Sequence, residues 1–243
     1  MIQYLRSLVF VGQIYLMMLV MGLVFAPYAI LSPDGARYAC KTYCRWVKWT
    51  MGWMVGLRYD VRGDIPTDEV MIAAKHQSFL DIILIFHAVP AAKFIMKREL
   101  LWAPVIGIYA KRLGCIPVER GKRGAAIQKM VDDVHAGRAR PGQLVIYPQG
   151  TRIPPGVKAP YKVGTAILYE QLEQPCVPVA TNVGLFWPKR GIMRKPGVAV
   201  VEFLPPLDTG LDRGAFMEAL ETRVEAQSNA LMREAGFVVD EIH

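Results

Sequence analysis

Leu8 to Leu31 is a run of 24 residues without one charged side chain. Any fold of this chain must bury that run against protein or lipid. As a helix it is long enough to cross a bilayer core of about 30 Å. Gln13 is its clearest polar interruption. Pro27 offers a second arrangement, a re-entrant hairpin with both ends on one side. The run is too long for a signal-peptide core, and no clear small-x-small cleavage site follows it. Arg6 is the only Lys or Arg before it, whereas Arg37, Lys41, Arg45 and Lys48 come soon after. The positive-inside bias therefore places the rest of the chain in the cytoplasm. Trp46, Trp49 and Trp53 are spaced three and four apart, so they share a helical face, with Lys41, Arg45 and Lys48 interleaved. Tryptophan and cations together suit the headgroup region of a bilayer better than a protein core.

The remainder reads as a compact enzyme-sized body. The 243 residues suit one domain with an appendage, which we divide as a membrane-anchoring helical segment, 1–56, and an α/β domain, 57–243. A hydrophobic content of 53% and a mean hydropathy of +0.23 are high for a soluble protein. The net charge of +8 favours an anionic partner: nucleic acid, an anionic membrane or an acidic carrier protein. No nucleic-acid recognition motif is present, and the charge is spread along the chain. Cys40, Cys44, Cys115 and Cys176 form no CxxC or Cys/His ligand cluster, so no metal site is expected. They read as reduced thiols of a cytoplasmic compartment.

Short apolar runs alternate with helical patterns from Leu57 onward. Strands are expected at 58–63, 70–74, 92–96, 114–118, 143–147, 177–182 and 198–203. Helices are expected from Ile82, over 98–113, 125–136 and 165–171, and over 213–233 with Phe216, Leu220 and Val224 on one face. This alternation predicts a mixed, mainly parallel sheet layered by helices, behind the N-terminal membrane-embedded helical segment.

The chemistry concentrates in three turns. Lys75-His76-Gln77-Ser78-Phe79-Leu80-Asp81 lies between a strand and a helix. Ser78 and Asp81 have the spacing of a capping box, with Ser78 as N-cap. If His76 sits in the turn and folds back over the first helical turn, Asp81 can accept from one imidazole nitrogen. The other nitrogen is then free to take a proton from a hydroxyl. Taken alone, the pair is more often a helix cap beside a surface histidine. Pro148-Gln149-Gly150-Thr151-Arg152 follows a strand and offers a close backbone approach, a hydroxyl and a cationic fork. Val118-Glu119-Arg120-Gly121 sets a second guanidinium at a strand end, and two arginines on one phosphate would make an anion pocket.

In this order, the turns resemble the glycerolipid acyltransferase family, over about Leu57 to Pro206. Its His-x4-Asp motif is met by His76 and Asp81. Its glycine, apolar stretch and acidic-Arg pair are met by Gly114 to Arg120. Its usual Pro-Glu-Gly-Thr-Arg appears with Gln149 in place of glutamate, and its apolar-Pro-apolar strand is met by Val177-Pro178-Val179. Lys97-Arg98-Glu99-Leu100 with Pro104 and Gly107 looks like its connecting segment. The resemblance implies acyl transfer from a thioester to the sn-2 hydroxyl of 1-acyl-glycerol-3-phosphate. It implies His76 as general base, oriented by Asp81, and Arg120, Gly150, Thr151 and Arg152 around the acceptor phosphate. The donor would be an acyl carrier protein or coenzyme A thioester, with no cofactor or metal. The site would face the cytoplasm at a bacterial-type inner membrane. Other lysolipids, such as lyso-ornithine lipid or lysophosphatidylglycerol, are alternative acceptors. A non-catalytic basic membrane-binding protein is the alternative class. Lys75 stands where asparagine often precedes the histidine, and either touches the phosphate or adds surface charge.

Overall fold

The computed structural model of the chain describes residues 1–118, 128, 131–132 and 141–238. The uncharged run opens a helical hairpin: α1 (Ile2–Val24), a short α2 (Ala26–Leu31) and α3 (Pro33–Val55). The break falls at Phe25, and Pro27 sits at the start of α2, where a missing N–H costs no helical bond. Gln13 makes two polar links between the long helices. Its Nε2 donates to Thr50 Oγ1 at 3.0 Å, and its Oε1 accepts from Trp46 Nε1 at 2.7 Å. Gln3 Nε2 reaches Val55 O at 3.0 Å, so α1 and α3 are antiparallel and their outer ends lie together.

The strands are β1 (Leu57–Arg62), β2 (Met71–Ala74), β3 (Lys93–Lys97), β4 (Ile116–Val118), β5 (Leu144–Ile146), β6 (Cys176–Thr181) and β7 (Gly197–Phe203). They form one sheet in the order β1-β7-β6-β2-β5-β3-β4. Every neighbouring pair is parallel except β6 and β7. The sheet is thus mixed and mainly parallel, as the pattern predicts. The helices that follow in the chain include α4 (Leu80–Ala88), α5 (Ile106–Leu113), α6 (Gly164–Leu172) and α7 (Arg213–Glu234).

Both faces of the sheet are covered, which is why its central strands read as unbroken apolar runs. Ile72 and Ala74 of β2 enter a core shared with α3 and α4; Met71 and Ala73 enter another, shared with α6 and α7. Phe10 and Ile14 of α1 belong to the first core, alongside Val145 and Val201 of the sheet. The opposite side of α1 is exposed and apolar, with Leu8, Tyr15, Leu16, Leu19 and Leu23 along it. By length and composition α1 is able to cross a membrane.

One expected helix is divided. Residues 98–113 form a 3₁₀ turn, Arg98–Trp102, and then α5. Pro104 disfavours helical backbone at the residue before it, and Ala103 is extended. Val105 then takes a φ of 68°, sparsely populated for a β-branched residue. Gly107 lets the two pieces close together, since a Cβ there would lie 2.0 Å from Leu101 O. The helix expected over 125–136 lies almost wholly outside the described residues.

Candidate active site

The ends of β2, β5 and β3 are adjacent in the sheet and open toward one side, where ligands of such sheets bind. The chain leaving β2 keeps the ladder for one more residue, Lys75 N–H donating to Val179 O at 2.9 Å. His76 follows, in the turn before α4, and folds back over the first turn of that helix. Its Nδ1 lies 2.8 Å from Asp81 Oδ1. Asp81 is fully buried, and its Oδ2 accepts from Gln77 N–H and Ser78 N–H, each at 2.8 Å. Ser78 Oγ accepts from Leu80 N–H at 3.1 Å. The two side chains therefore satisfy orphan donors reciprocally, as in a capping box, although the N-cap position itself falls to Phe79.

An Asp81 carboxylate flanked by two backbone donors accepts from Nδ1–H, which leaves Nε2 as the basic nitrogen. Tyr147 fixes the ring from one face, stacked at 3.9 Å between centroids and 18° between planes. Burial, and then the charge of Asp81, push the Tyr147 phenol well above its ordinary range, so it stays neutral.

The turn after β5 is locked to the first. Ile153 N–H donates to His76 O at 2.8 Å. Gly150 has a φ of 68° and donates its N–H to Tyr147 O at 2.8 Å. A Cβ at 150 would meet Lys162 Nζ at 3.0 Å, so the absent side chain makes room for that ammonium. Thr151 and Arg152 line the same cavity as His76. Gln149 is buried and does not line it; its Nε2 donates to Ala159 O at 3.3 Å. Arg120, the second expected phosphate ligand, lies outside the described residues. Val118, two residues before it at the end of β4, lines the cavity.

Three further cations reach this cavity: Lys97, from the connecting segment, and Lys162 and Lys189, which motif reading passes over. Lys189 Nζ donates to Arg152 O at 2.9 Å and lies 3.5 Å from Thr151 Oγ1. With Arg152 they make four cationic side chains, and no carboxylate lines the cavity among the described residues. Lys162 and Lys189 come from loops far along the chain, and a lone lysine in a loop carries no sequence signal. Lys75 takes neither of the roles open to it. It is buried, and its Nζ is paired with Glu225 of α7.

The cavity measures about 610 Å³. Much of the remaining wall is apolar, with Met21 of α1, Tyr43 of α3, Ile83 of α4, Phe94 of β3 and Tyr109 of α5. An oriented imidazole therefore shares one cavity with cationic side chains and apolar walls.

The chain is 28% identical to the 1-acyl-sn-glycerol-3-phosphate acyltransferase of Pseudomonas aeruginosa, over 96% of this chain and 92% of that one. It is 30% identical to the Mus musculus 1-acyl-sn-glycerol-3-phosphate acyltransferase alpha, over 65% of this chain and 57% of that protein. The fold is similar to the crystal structure of the 1-acyl-sn-glycerophosphate acyltransferase PlsC from Thermotoga maritima. That likeness has a TM-score of 0.78 and 21% identity, covering 94% of this chain and 97% of that one. The family model named Acyltransferase matches residues 58–182, just over half of the chain and the stretch that holds both turns, and this chain belongs to the acyltransferase family.

Proposed function

We propose that this enzyme transfers a fatty acyl group from a thioester to the sn-2 hydroxyl of 1-acyl-glycerol-3-phosphate, giving phosphatidic acid. The observation that carries the reading is the combined site. His76 is held through Nδ1 by a buried carboxylate and lines a cavity that also has four cationic side chains and extensive apolar walls. A phosphate with a fatty chain matches both, and the names of the relatives indicate the same acceptor.

In the reaction, the acceptor hydroxyl attacks the thioester carbonyl while His76 Nε2 takes its proton. Asp81 orients the ring and stabilises the imidazolium. The tetrahedral intermediate collapses by breaking the C–S bond, and the departing thiolate receives the proton from His76. Arg152 and Lys189 hold the acceptor phosphate, with Thr151 beside them and Arg120 as a further ligand. The donor is an acyl carrier protein or coenzyme A thioester whose chain enters the apolar pocket. The exposed side of α1 lies in the cytoplasmic leaflet of a bacterial-type inner membrane, with the site open to the cytoplasm.

The test is acyl transfer by the purified enzyme, crossing both donors with lysophosphatidate, lysophosphatidylglycerol and lyso-ornithine lipid. Lysophosphatidate is expected to be the preferred acceptor. His76→Ala should reduce kcat by about a hundredfold or more with the fold retained. Equal use of the phosphate-free lysolipid, or an unchanged rate for His76→Ala, would remove the acceptor or the base respectively.

A further inference from the structure

The strongest group outside the reacting set is an interior cluster of three side chains from three elements. Lys75, at the end of β2, is almost fully buried, and its Nζ pairs with Glu225 Oε2 of α7. The other oxygen of the same carboxylate, Oε1, accepts from Tyr161 OH at 3.0 Å. Tyr161 is buried, in the segment just before α6. Burial, and then the Glu225 charge, raise its phenol above the ordinary range, so it remains a donor to that carboxylate.

Each arm ends one residue from the site. Lys75 precedes His76, whose carbonyl accepts from Ile153 N–H. Tyr161 precedes Lys162, whose N–H donates to Pro148 O at 3.0 Å and whose Nζ stands over Gly150. A buried ammonium requires its carboxylate, and a charged hydrogen bond holds it in one geometry. One carboxylate on α7 therefore braces the strand end that presents the imidazole and the strap that presents an ammonium to the acceptor.

We infer that Lys75, Glu225 and Tyr161 are positioning residues, with Glu225 setting the spacing between the His76 turn and Lys162. The inference rests on the functional reading above for the identity of the reaction. Lys75 does not touch substrate; it acts through the backbone of His76. The two arms should then affect different kinetic parameters. The Lys75 arm places the base and governs kcat. The Tyr161 arm places an anion-binding cation and governs the KM for lysophosphatidate.

The test uses two variants of the full chain. The double variant Lys75→Met, Glu225→Gln removes the ion pair without stranding a charge, and the Gln oxygen still accepts from Tyr161. Its kcat should fall about tenfold or more, with acceptor KM within about twofold. Tyr161→Phe removes the other arm and keeps the ion pair. Its acceptor KM should rise about fivefold, with kcat within about twofold. If both variants lower Tm but leave kcat and KM unchanged, the cluster is structural only and the inference falls. A readout without substrate keeps this separate from the reaction itself. The downfield proton resonance of His76 Nδ1–H, bonded to Asp81, should shift or broaden in the double variant and not in Tyr161→Phe. An unshifted resonance in the double variant overturns the inference whatever reaction the enzyme runs.

Discussion

Asp81 satisfies three donors with two oxygens: Oδ1 takes the imidazole, and Oδ2 takes the N–H groups of Gln77 and Ser78. That arrangement dictates what an amide would do there. In Asp81→Asn the single remaining oxygen stays with the two backbone donors, because an amide nitrogen cannot accept from them. The Asn Nδ2 then faces His76 Nδ1 as a donor and forces the other tautomer, with the proton on Nε2. The ring can no longer take a proton from the acceptor. We expect kcat to fall by about a thousandfold while far-UV circular dichroism is unchanged; a rate within tenfold of wild type would show that Asp81 does not set the tautomer. At this scale the sequence was partly legible. For His76 and Asp81 local spacing makes their meeting feasible without deciding it, and the resemblance of the ordered turns to the family implies their role. Lys75 was ambiguous, because its partner Glu225 lies 150 residues away and nothing local points to it. Lys162 and Lys189 were invisible for the same reason: their neighbours at the rim are chosen by the fold.

Among the elements, the parallel strands were readable because burial on both faces leaves them apolar throughout. The antiparallel entry of β7 between β1 and β6 was not, since pairing direction has no side-chain code. The segment from Arg98 to Leu113 reads in sequence as one helix, and Pro104 and Gly107 lie where the structure divides it. The division matters to the cavity. α5 and the residue before it meet α1, where Tyr109 OH donates to Gly22 O at 2.9 Å and Val105 fills the space a Cβ on Gly22 would need. The inner wall of the apolar pocket is therefore α5, and Ala110 is a small buried residue on it. Ala110→Phe should fill the pocket beside Tyr109 at a stability cost of about 1–3 kcal/mol from overpacking. We expect kcat/KM to shift toward donors shorter by about two to four methylenes, since each buried methylene contributes about 0.8 kcal/mol. A series of acyl donors differing only in length checks this. An unaltered length profile in a folded variant would place the chain elsewhere.

For the whole molecule, the question is how a basic body and an apolar hairpin share one surface. α1 buries Phe10 and Ile14 in the enzyme core and leaves the other side uncovered, so it is not a tether on a linker. Trp49 and Trp53 on α3 are 60% and 59% exposed, and Trp46, Trp49 and Trp53 lie in a row, with ring centroids 5.3 and 5.8 Å apart and successive planes tilted by 59° and 58°. Exposed indoles beside the exposed Arg45 suit a headgroup layer, where rings partition and cations meet phosphate, whereas Lys48 turns its Nζ to His87 Nδ1 at 2.7 Å. The two contributions respond differently to salt. Charge attraction weakens as the Debye length drops from about 10 Å at 0.1 M to about 3 Å at 1 M, whereas apolar insertion does not. Wild-type enzyme should therefore stay on vesicles containing anionic phospholipid at high salt. The double variant Trp49→Ala, Trp53→Ala should bind about tenfold more weakly at low salt, and most of its remaining binding should be lost at high salt. Its kcat on a detergent-dispersed acceptor should be unchanged, because neither tryptophan lines the cavity. Co-sedimentation with vesicles at the two salt concentrations measures this. If the variant binds as tightly as wild type at both, the indoles face water rather than lipid, and the exposed side of α1 alone must hold the enzyme at the bilayer.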